Sequence, residues 1–187
     1  MRIIAGEWRN RRLVVPKGLT IRPTPERVRE AWMSILQRDI PDARVLDLFA
    51  GTGALGLETL SRGAAFVEFV EHDARALHAL EENVRALRAE DRCAIHRADA
   101  LDFASLLTAR LSSLLSLGTV NSALLPSPSI CFADPPYRQG LAARLAGLWL
   151  AHPFSAIFGV EHEATETLPE GGDRRRYGDT ALTIYRT

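Results

Sequence analysis

The chain has 187 residues, 47% of them apolar, with 23 basic and 23 acidic side chains and a formal net charge of zero. That length supports one domain, or one domain with a small appendage, with ample apolar content for a core, and the balanced charge argues against a generic nucleic-acid binder. With no apolar run of the roughly 18 residues needed to span a bilayer, and an opening MRIIAGEWRNRR unlike a signal peptide, a monomeric cytoplasmic protein is expected.

The charge is unevenly spread. Residues 1–29 hold Arg2, Arg9, Arg11, Arg12, Lys17, Arg22, Arg27 and Arg29 against Glu7 and Glu26, a surplus of six that the rest of the chain offsets. The preference for arginine over lysine holds along the whole sequence and is compositional, so the clustering is the better signal. Arg2 to Val15, RIIAGEWRNRRLVV, reads as two short strands around a turn at Asn10, with Trp8 and arginines projecting from one face. Such a hairpin would track phosphates and stack one base on Trp8; a solvated edge hairpin is the plainer alternative. Arg22-Pro-Thr-Pro25 forces extended backbone, after which Thr24 or Pro25 starts a helix reaching Gln37. Val28, Ala31, Trp32 and Ile35 form its apolar stripe, with Arg27, Glu30 and Ser34 off it. Its first turn, with Arg22, Thr24 and Arg27, fits a lid over a bound ligand, although capping alone explains Thr24.

Val45 to Gly56, VLDLFAGTGALG, combines a buried-strand run to Phe49, an acid inside that run, and three glycines opening a helix near Ala54. Gly51, Gly53 and Gly56 fit the G-x-G-x-x-G spacing, which permits a tight turn, close ligand approach and close helix–strand packing. That spacing alone leaves a dinucleotide and S-adenosylmethionine both open. Asp47 separates them: a carboxylate there repels a pyrophosphate and attracts the cationic amino-acid end of the methyl donor.

A helix to about Arg62 and a strand Ala65 to Val70 complete a βαβ unit, with Glu71 placed to accept two ribose hydroxyl hydrogens and Asp73 the better candidate for a helix cap. His72 and His78 lack partners at metal spacing and read as surface residues. Ala74 to Ala89 is a helix with Leu77, Leu80, Val84 and Leu87 inward. Cys93 and Cys131 belong to no metal or disulfide pattern and read as core thiols. After a strand Cys93 to Arg97, Asp99 is placed to accept an adenine amino hydrogen, with Asp102 as its competitor or as a helix cap. Residues 105–129 are leucine- and serine-rich and nearly uncharged. They read as an insertion, with a helix over Leu106 to Leu117 and then a loop. Strands at Ile130 to Ala133 and Ala156 to Val160, a helix Leu141 to Leu150, and a hairpin Arg174 to Tyr177 with Ala181 to Tyr185 close the chain; Glu161 to Glu163 look like a charged strand end.

Asp134-Pro135-Pro136-Tyr137 leaves the fourth strand as a rigid segment whose carbonyls are free to accept. Asp134 and the Pro135 carbonyl can each accept one N–H of an exocyclic amine, orienting its lone pair and offsetting the charge that develops on nitrogen, while Tyr137 stacks on the base. No covalent intermediate and no metal are needed.

RIIAGEWRNRRL, RPTPERVREA, DLFAGTGALGLETLSRGA, VEHD and FADPPY together, in this order, resemble the RsmD family, bacterial enzymes that methylate N2 of a guanine in 16S ribosomal RNA. The resemblance implies a Rossmann-like α/β methyltransferase fold, with a seven-stranded mostly parallel sheet, a C-terminal antiparallel hairpin and a small N-terminal hairpin. It divides the chain into an RNA-contacting segment 1–20 and a methyltransferase domain 21–187. It implies S-adenosylmethionine bound by Asp47, Phe49, Gly51, Gly53, Glu71, His72, Asp99 and Ala100, with Asp134 where cofactor and base meet. Arg9, Arg11, Arg12, Arg22, Thr24 and Arg27 would contact RNA in the small subunit or its assembly intermediate, with ribosomal proteins as further partners. Residues 105–129 depart from the family by their length. Three rivals stand beside this reading: a DNA amino-methyltransferase acting on adenine N6 or cytosine N4, an NAD-binding dehydrogenase, which has no use for Asp134 to Tyr137, and a non-catalytic RNA-binding assembly factor.

Overall fold

The computed structural model describes residues 1–16, 26–116 and 127–187. Arg22 and Thr24, the expected lid over 22–25 and the loop of the insertion at 117–126 lie outside them. The elements run α1 (Glu26–Ile35), β1 (Arg44–Leu48), α2 (Ala54–Ser61), β2 (Phe66–Glu71), α3 (Ala74–Leu87), β3 (Cys93–Arg97), α4 (Ala100–Ser116), β4 (Ile130–Ala133), α5 (Leu141–Ala151), β5 (Ile157–Glu163), β6 (Asp173–Tyr177) and β7 (Thr180–Arg186). They build one seven-stranded sheet in the order β3-β2-β1-β4-β5-β7-β6, parallel through β5 and antiparallel in the last two strands.

Alternation along the central strands decides which layer each side chain joins. Val45, Val67, Phe69, Ile130 and Phe132 face the layer of α1, α2 and α3, whereas Leu46, Leu48, Val70, Cys131 and Ala133 face α4 and α5. Asp47, two residues after Val45, therefore points into the first layer, beneath the start of α2. Trp32 of α1 anchors that layer, meeting Phe132 edge-on at 5.1 Å and filling the space above Gly159, where an added Cβ would fall 2.2 Å from its ring.

Three local expectations are corrected. The expected stripe of α1 does face the core, with Ala31 and Ile35 partly buried beside Val28 and Trp32, but Arg29 and Met33 are buried as well, so Arg29 is unavailable to RNA, while Arg27 is exposed. Helix α4 begins at Ala100 rather than Leu106, because Asp99 accepts the amide hydrogens of Leu101 (2.8 Å) and Asp102 (3.0 Å). Glu161 to Glu163 do end β5, but Glu161 and His162 are buried there rather than solvated, His162 bonded to the Thr183 hydroxyl across the strand pair. Burial lowers the His162 imidazole's proton affinity, the Glu163 carbonyl opposing. Cys131 is fully buried as expected, but Cys93 is only partly so.

The N-terminal hairpin is present in reduced form. Arg2 and Arg12 make a single antiparallel bridge, flanked by Ile3 N–H to Arg11 O (3.0 Å) and Leu13 N–H to Met1 O (3.0 Å), and Asn10 adopts a left-handed φ of 67° at the turn. Trp8 does not project from it. It is 8% exposed, packed in the core under the Arg92 guanidinium at 5.2 Å, so base stacking by Trp8 is ruled out.

Candidate active site

Register aligns the functional strand ends. Leu48 is level with Val70 of β2 and with Ala133 of β4, so Phe49, Glu71 and Asp134 emerge side by side at one edge of the sheet. Glu71 pairs with Arg97 of β3, which puts Asp99 just beyond the same edge. Adjacent strands lie about 4.8 Å apart, so Glu71 and Asp134 flank β1 across roughly 10 Å. The order along the edge is Asp99, Glu71, the glycine turn, Asp134.

The turn itself is a left-handed reversal. Phe49 has φ 62°, at a cost of about 1–2 kcal/mol for a residue with a side chain. Gly53, with φ 80°, starts α2 and donates to Ala50 O at 2.8 Å. The three glycines divide the expected roles. A Cβ on Gly56 would meet the Phe69 ring at 2.3 Å, so this glycine seats α2 on β2. A Cβ on Gly53 would meet Leu80 Cδ1 at 2.4 Å, so α3 leans directly on the turn. At Gly51 the corresponding space is open, with nothing nearer than 4.0 Å, which leaves the turn accessible at that point.

Glu71 is 5% exposed and holds the turn to β2. Its Oε2 accepts Gly51 N–H and its Oε1 accepts the amides of His72 and Asp73, each at 2.8 Å. One acceptor position of Oε2 remains for a hydroxyl. His72 lies beside it, largely exposed, its Nδ1 3.4 Å from Glu71 Oε1. Asp73, as expected, caps α3 through Arg75 and Ala76. Asp99 is exposed and Ala100 buried at the start of α4; the cap bonds there belong to Asp99, not to Asp102.

Asp47 is 3% exposed and accepts the Gly56 amide at 2.9 Å. Burial pushes its carboxyl up to about 7, the Gly56 bond opposing and the charges of Asp134 and Glu71 adding to the rise. Three carboxylates thus converge on the mouth of β1, an arrangement that favours a bound cation. Beyond them, Pro135 is buried, Pro136 exposed and Tyr137 half-buried. The Tyr137 hydroxyl is held by Glu161 Oε1 (3.1 Å) and Thr180 Oγ1 (2.9 Å), and its ring helps line a cleft of about 430 Å³ with Arg138, Glu163, Arg176 and Asp179. Burial raises the phenol further out of the physiological range, so it acts as a neutral ring with a fixed orientation.

Of the expected RNA contacts, Arg9, Arg12 and Arg27 are exposed; Arg11 is exposed too, but donates to Ala86 O at 2.8 Å. Arg27 lies on α1, and the arm that carries Arg9, Arg11 and Arg12 is fastened to α2 by Glu58 and Ser61 and to α3 by Asn83. None of these three fastening residues, nor Glu161 behind Tyr137, carries a motif, and only their tertiary partners reveal them.

The family described as "Conserved hypothetical protein 95" matches residues 1–186. A curated relative, the ribosomal RNA small subunit methyltransferase D of Escherichia coli (strain K12), is 38% identical over 174 residues, 90% of this chain and 78% of its own length. Among solved structures, the hypothetical protein TTHA0928 of Thermus thermophilus aligns with TM-score 0.78 and 32% identity, covering 100% of this chain and 99% of that one. An RNA methyltransferase from Salinibacter ruber in complex with S-adenosyl-L-homocysteine shares the fold at TM-score 0.60 and 11% identity, covering 88% and 93%.

Proposed function

Because the chain belongs to the conserved hypothetical protein 95 family, the one its RsmD-like motifs pointed to, we propose that it transfers a methyl group from S-adenosylmethionine to the exocyclic N2 amine of a guanine in 16S ribosomal RNA. The observation that carries the reading is the alignment of Asp99, Glu71, the glycine turn and Asp134 along one sheet edge. That order matches the parts of the reaction: adenine, ribose, methionine and acceptor base.

The residues present fit the cofactor. The open side of Gly51 admits a ligand against the turn, the remaining acceptor of Glu71 suits a ribose hydroxyl, and the crowded carboxylates at Asp47 favour a cation. When bound, S-adenosylmethionine supplies a methyl group on a sulfonium. Phe49, Gly53, His72 and Ala100 shape the pocket around it. On the acceptor side, Asp134 and the Pro135 carbonyl take the two N–H bonds of the amine, so that its lone pair is directed at the methyl carbon. Methyl transfer would leave S-adenosylhomocysteine and put positive charge on the amine nitrogen, and Asp134 would offset that charge and take up the N–H proton the amine loses. Tyr137, fixed by Glu161 and Thr180, holds the base plane.

The segment 1–20 serves the domain 21–187 as its RNA-contacting arm, through Arg9, Arg11 and Arg12, with Arg27 beside it and Arg22 and Thr24 completing the set. The substrate is the small subunit or its assembly intermediate, with ribosomal proteins as neighbours, and the enzyme acts as a cytoplasmic monomer. Labelled S-adenosylmethionine should transfer its methyl to small subunits from a strain lacking the homologous enzyme, and digestion should recover N2-methylguanine from 16S RNA. Methylation of adenine N6 or cytosine N4 in duplex DNA instead would overturn the proposal.

The cation site has its own signature. Asp47 titrates near 7 rather than the ordinary 3.8, so the folded state holds this proton more tightly than the unfolded state. The stability it contributes is complete below pH about 4 and is lost as the pH rises through about 7. A bound cation favours the carboxylate and expels the proton. At pH about 6, cofactor binding should release close to one proton, seen as different calorimetric enthalpies in phosphate and bis-Tris, and affinity should rise up to pH about 7. An enthalpy independent of the buffer would remove Asp47 from the cation site.

A further inference from the structure

Asn83 lies on the inner face of α3, 1% exposed. Its side-chain amide makes three hydrogen bonds: Oδ1 accepts Val14 N–H at 2.7 Å, and Nδ2 donates to Val14 O at 3.1 Å and to Thr52 O at 2.9 Å. A buried asparagine with satisfied bonds is commonly just a structural residue. The identity of the two partners makes this one different. Val14 stands near the end of the described arm, and Thr52 is the middle of the glycine turn, between Gly51 and Gly53. Among the described residues, the hydrogen bonds of no other side chain reach both.

The turn is therefore held from two sides, by Glu71 on Gly51 N–H and by Asn83 on Thr52 O, one residue further along the chain. There is little slack in this contact, since an added Cβ on Gly53 would lie 2.4 Å from Leu80, one turn before Asn83 on α3. The arm has a second attachment to α3 through Arg11, which donates to Ala86 O at 2.8 Å. A phosphate is a stronger acceptor for a guanidinium than a backbone carbonyl. RNA that captures Arg11 would draw it from Ala86 and leave Asn83 as the bond through which the arm acts on the turn.

We propose that Asn83 is a positioning residue that couples RNA bound on the N-terminal arm to the shape of the cofactor turn, so that the two substrates tighten each other's binding. The inference rests on the RNA methyltransferase reading. By linkage, the factor by which RNA tightens the cofactor site equals the factor by which cofactor tightens the RNA site.

The test measures S-adenosylhomocysteine affinity by calorimetry, with and without small subunits from the strain lacking the homologous enzyme. In the wild type the subunits should tighten binding by about fivefold or more. In Asn83→Leu, which keeps the volume and removes all three bonds, the ratio should fall to within about twofold of one, while the methyl still reaches the same nucleotide at saturating substrates. A folded variant that retains the wild-type ratio, or a wild-type ratio of one, would overturn the proposal. Should Asn83→Leu fail to fold, hydrogen exchange on the wild type decides: subunit binding should slow exchange in the peptide containing Gly51 to Ala54, and unchanged exchange there refutes the coupling. A wild type that neither binds S-adenosylhomocysteine nor methylates the subunit marks instead the failure of the parent reading.

Discussion

Asp134→Ala should lower the rate of methyl transfer by about a thousandfold, near 4 kcal/mol of transition-state stabilisation, while cofactor affinity changes by less than about tenfold. The expectation follows from where Asp134 stands. It is the first residue beyond β4, level with Phe49 and Glu71, at the end of the edge that remains for the acceptor once the cofactor occupies the turn. An exocyclic amine conjugated to a ring has little lone-pair density to offer, and an anionic acceptor on its hydrogens both restores directionality and opposes the charge that develops as nitrogen is alkylated. Asp134→Asn keeps an acceptor oxygen but not the charge, and should fall between the wild type and alanine. A linked readout is available. Since the Asp134 charge is one of the influences raising Asp47, its removal should lower the Asp47 carboxyl's proton affinity and reduce the proton release on cofactor binding. Single-turnover rates with calorimetry on the same variants separate the effects. If Asp134→Ala weakened cofactor binding by far more than about tenfold and left the single-turnover rate at saturating cofactor intact, the donor and acceptor sites would have to be exchanged.

How far the sequence disclosed this arrangement depends on whether a residue's role is local. The strand Cys93 to Arg97 and the strand Ile130 to Ala133 were legible to the residue, because each is a segment of four or five residues, too short for a helix, where the alternation of strands and helices requires a strand. The glycine spacing predicted helix–strand packing, and Gly56 against Phe69 provides it. The closing hairpin over Arg174 to Tyr177 and Ala181 to Tyr185 was legible from the turn between them, but the placing of β7 between β5 and β6 was not, because periodicity carries no pairing order. Roles that depend on a distant partner were hidden. Trp8 in a basic segment reads as an aromatic for stacking, and only the fold shows Arg92 lying over it in the core. Arg29 reads as surface charge, yet it is 2% exposed and donates to Arg2 O at 3.1 Å. The sequence favours Asp99 for the adenine and offers Asp102 as competitor or helix cap, whereas the geometry of the α4 start gives the cap to Asp99.

The largest of these hidden roles belongs to Glu58, and Glu58→Ala is expected to cost about 3–5 kcal/mol of stability, a large share of what a domain this size possesses. Its carboxylate is fully buried on α2 and takes the amide hydrogens of Ile4 at 2.7 Å and Ala5 at 3.0 Å, together with Arg62 Nε at 2.8 Å. It also opposes the burial that lowers the proton affinity of Arg29. Alanine would leave two amides and a guanidinium without this acceptor and the buried Arg29 without the largest of its compensating charges, which is costlier than never having built the pair. The arm should suffer most. Gly6 crosses α2 so closely that a Cβ there would fall 1.7 Å from Ser61 O, and Glu58 is the fully buried carboxylate that takes the arm's amides beside that crossing. Glu58→Gln retains one acceptor oxygen and should lose about half as much. Urea denaturation gives the stability change through the midpoint at constant slope, and hydrogen exchange at the Ile4 and Ala5 amides shows whether the arm opens before the sheet does. A loss below about 1 kcal/mol with both amides still protected would mean that the sheet layer, not Glu58, fastens the arm. The expected result ties the N-terminal arm to the helix capped by Gly53, so that the glycine turn and the arm rest on the same eight-residue helix.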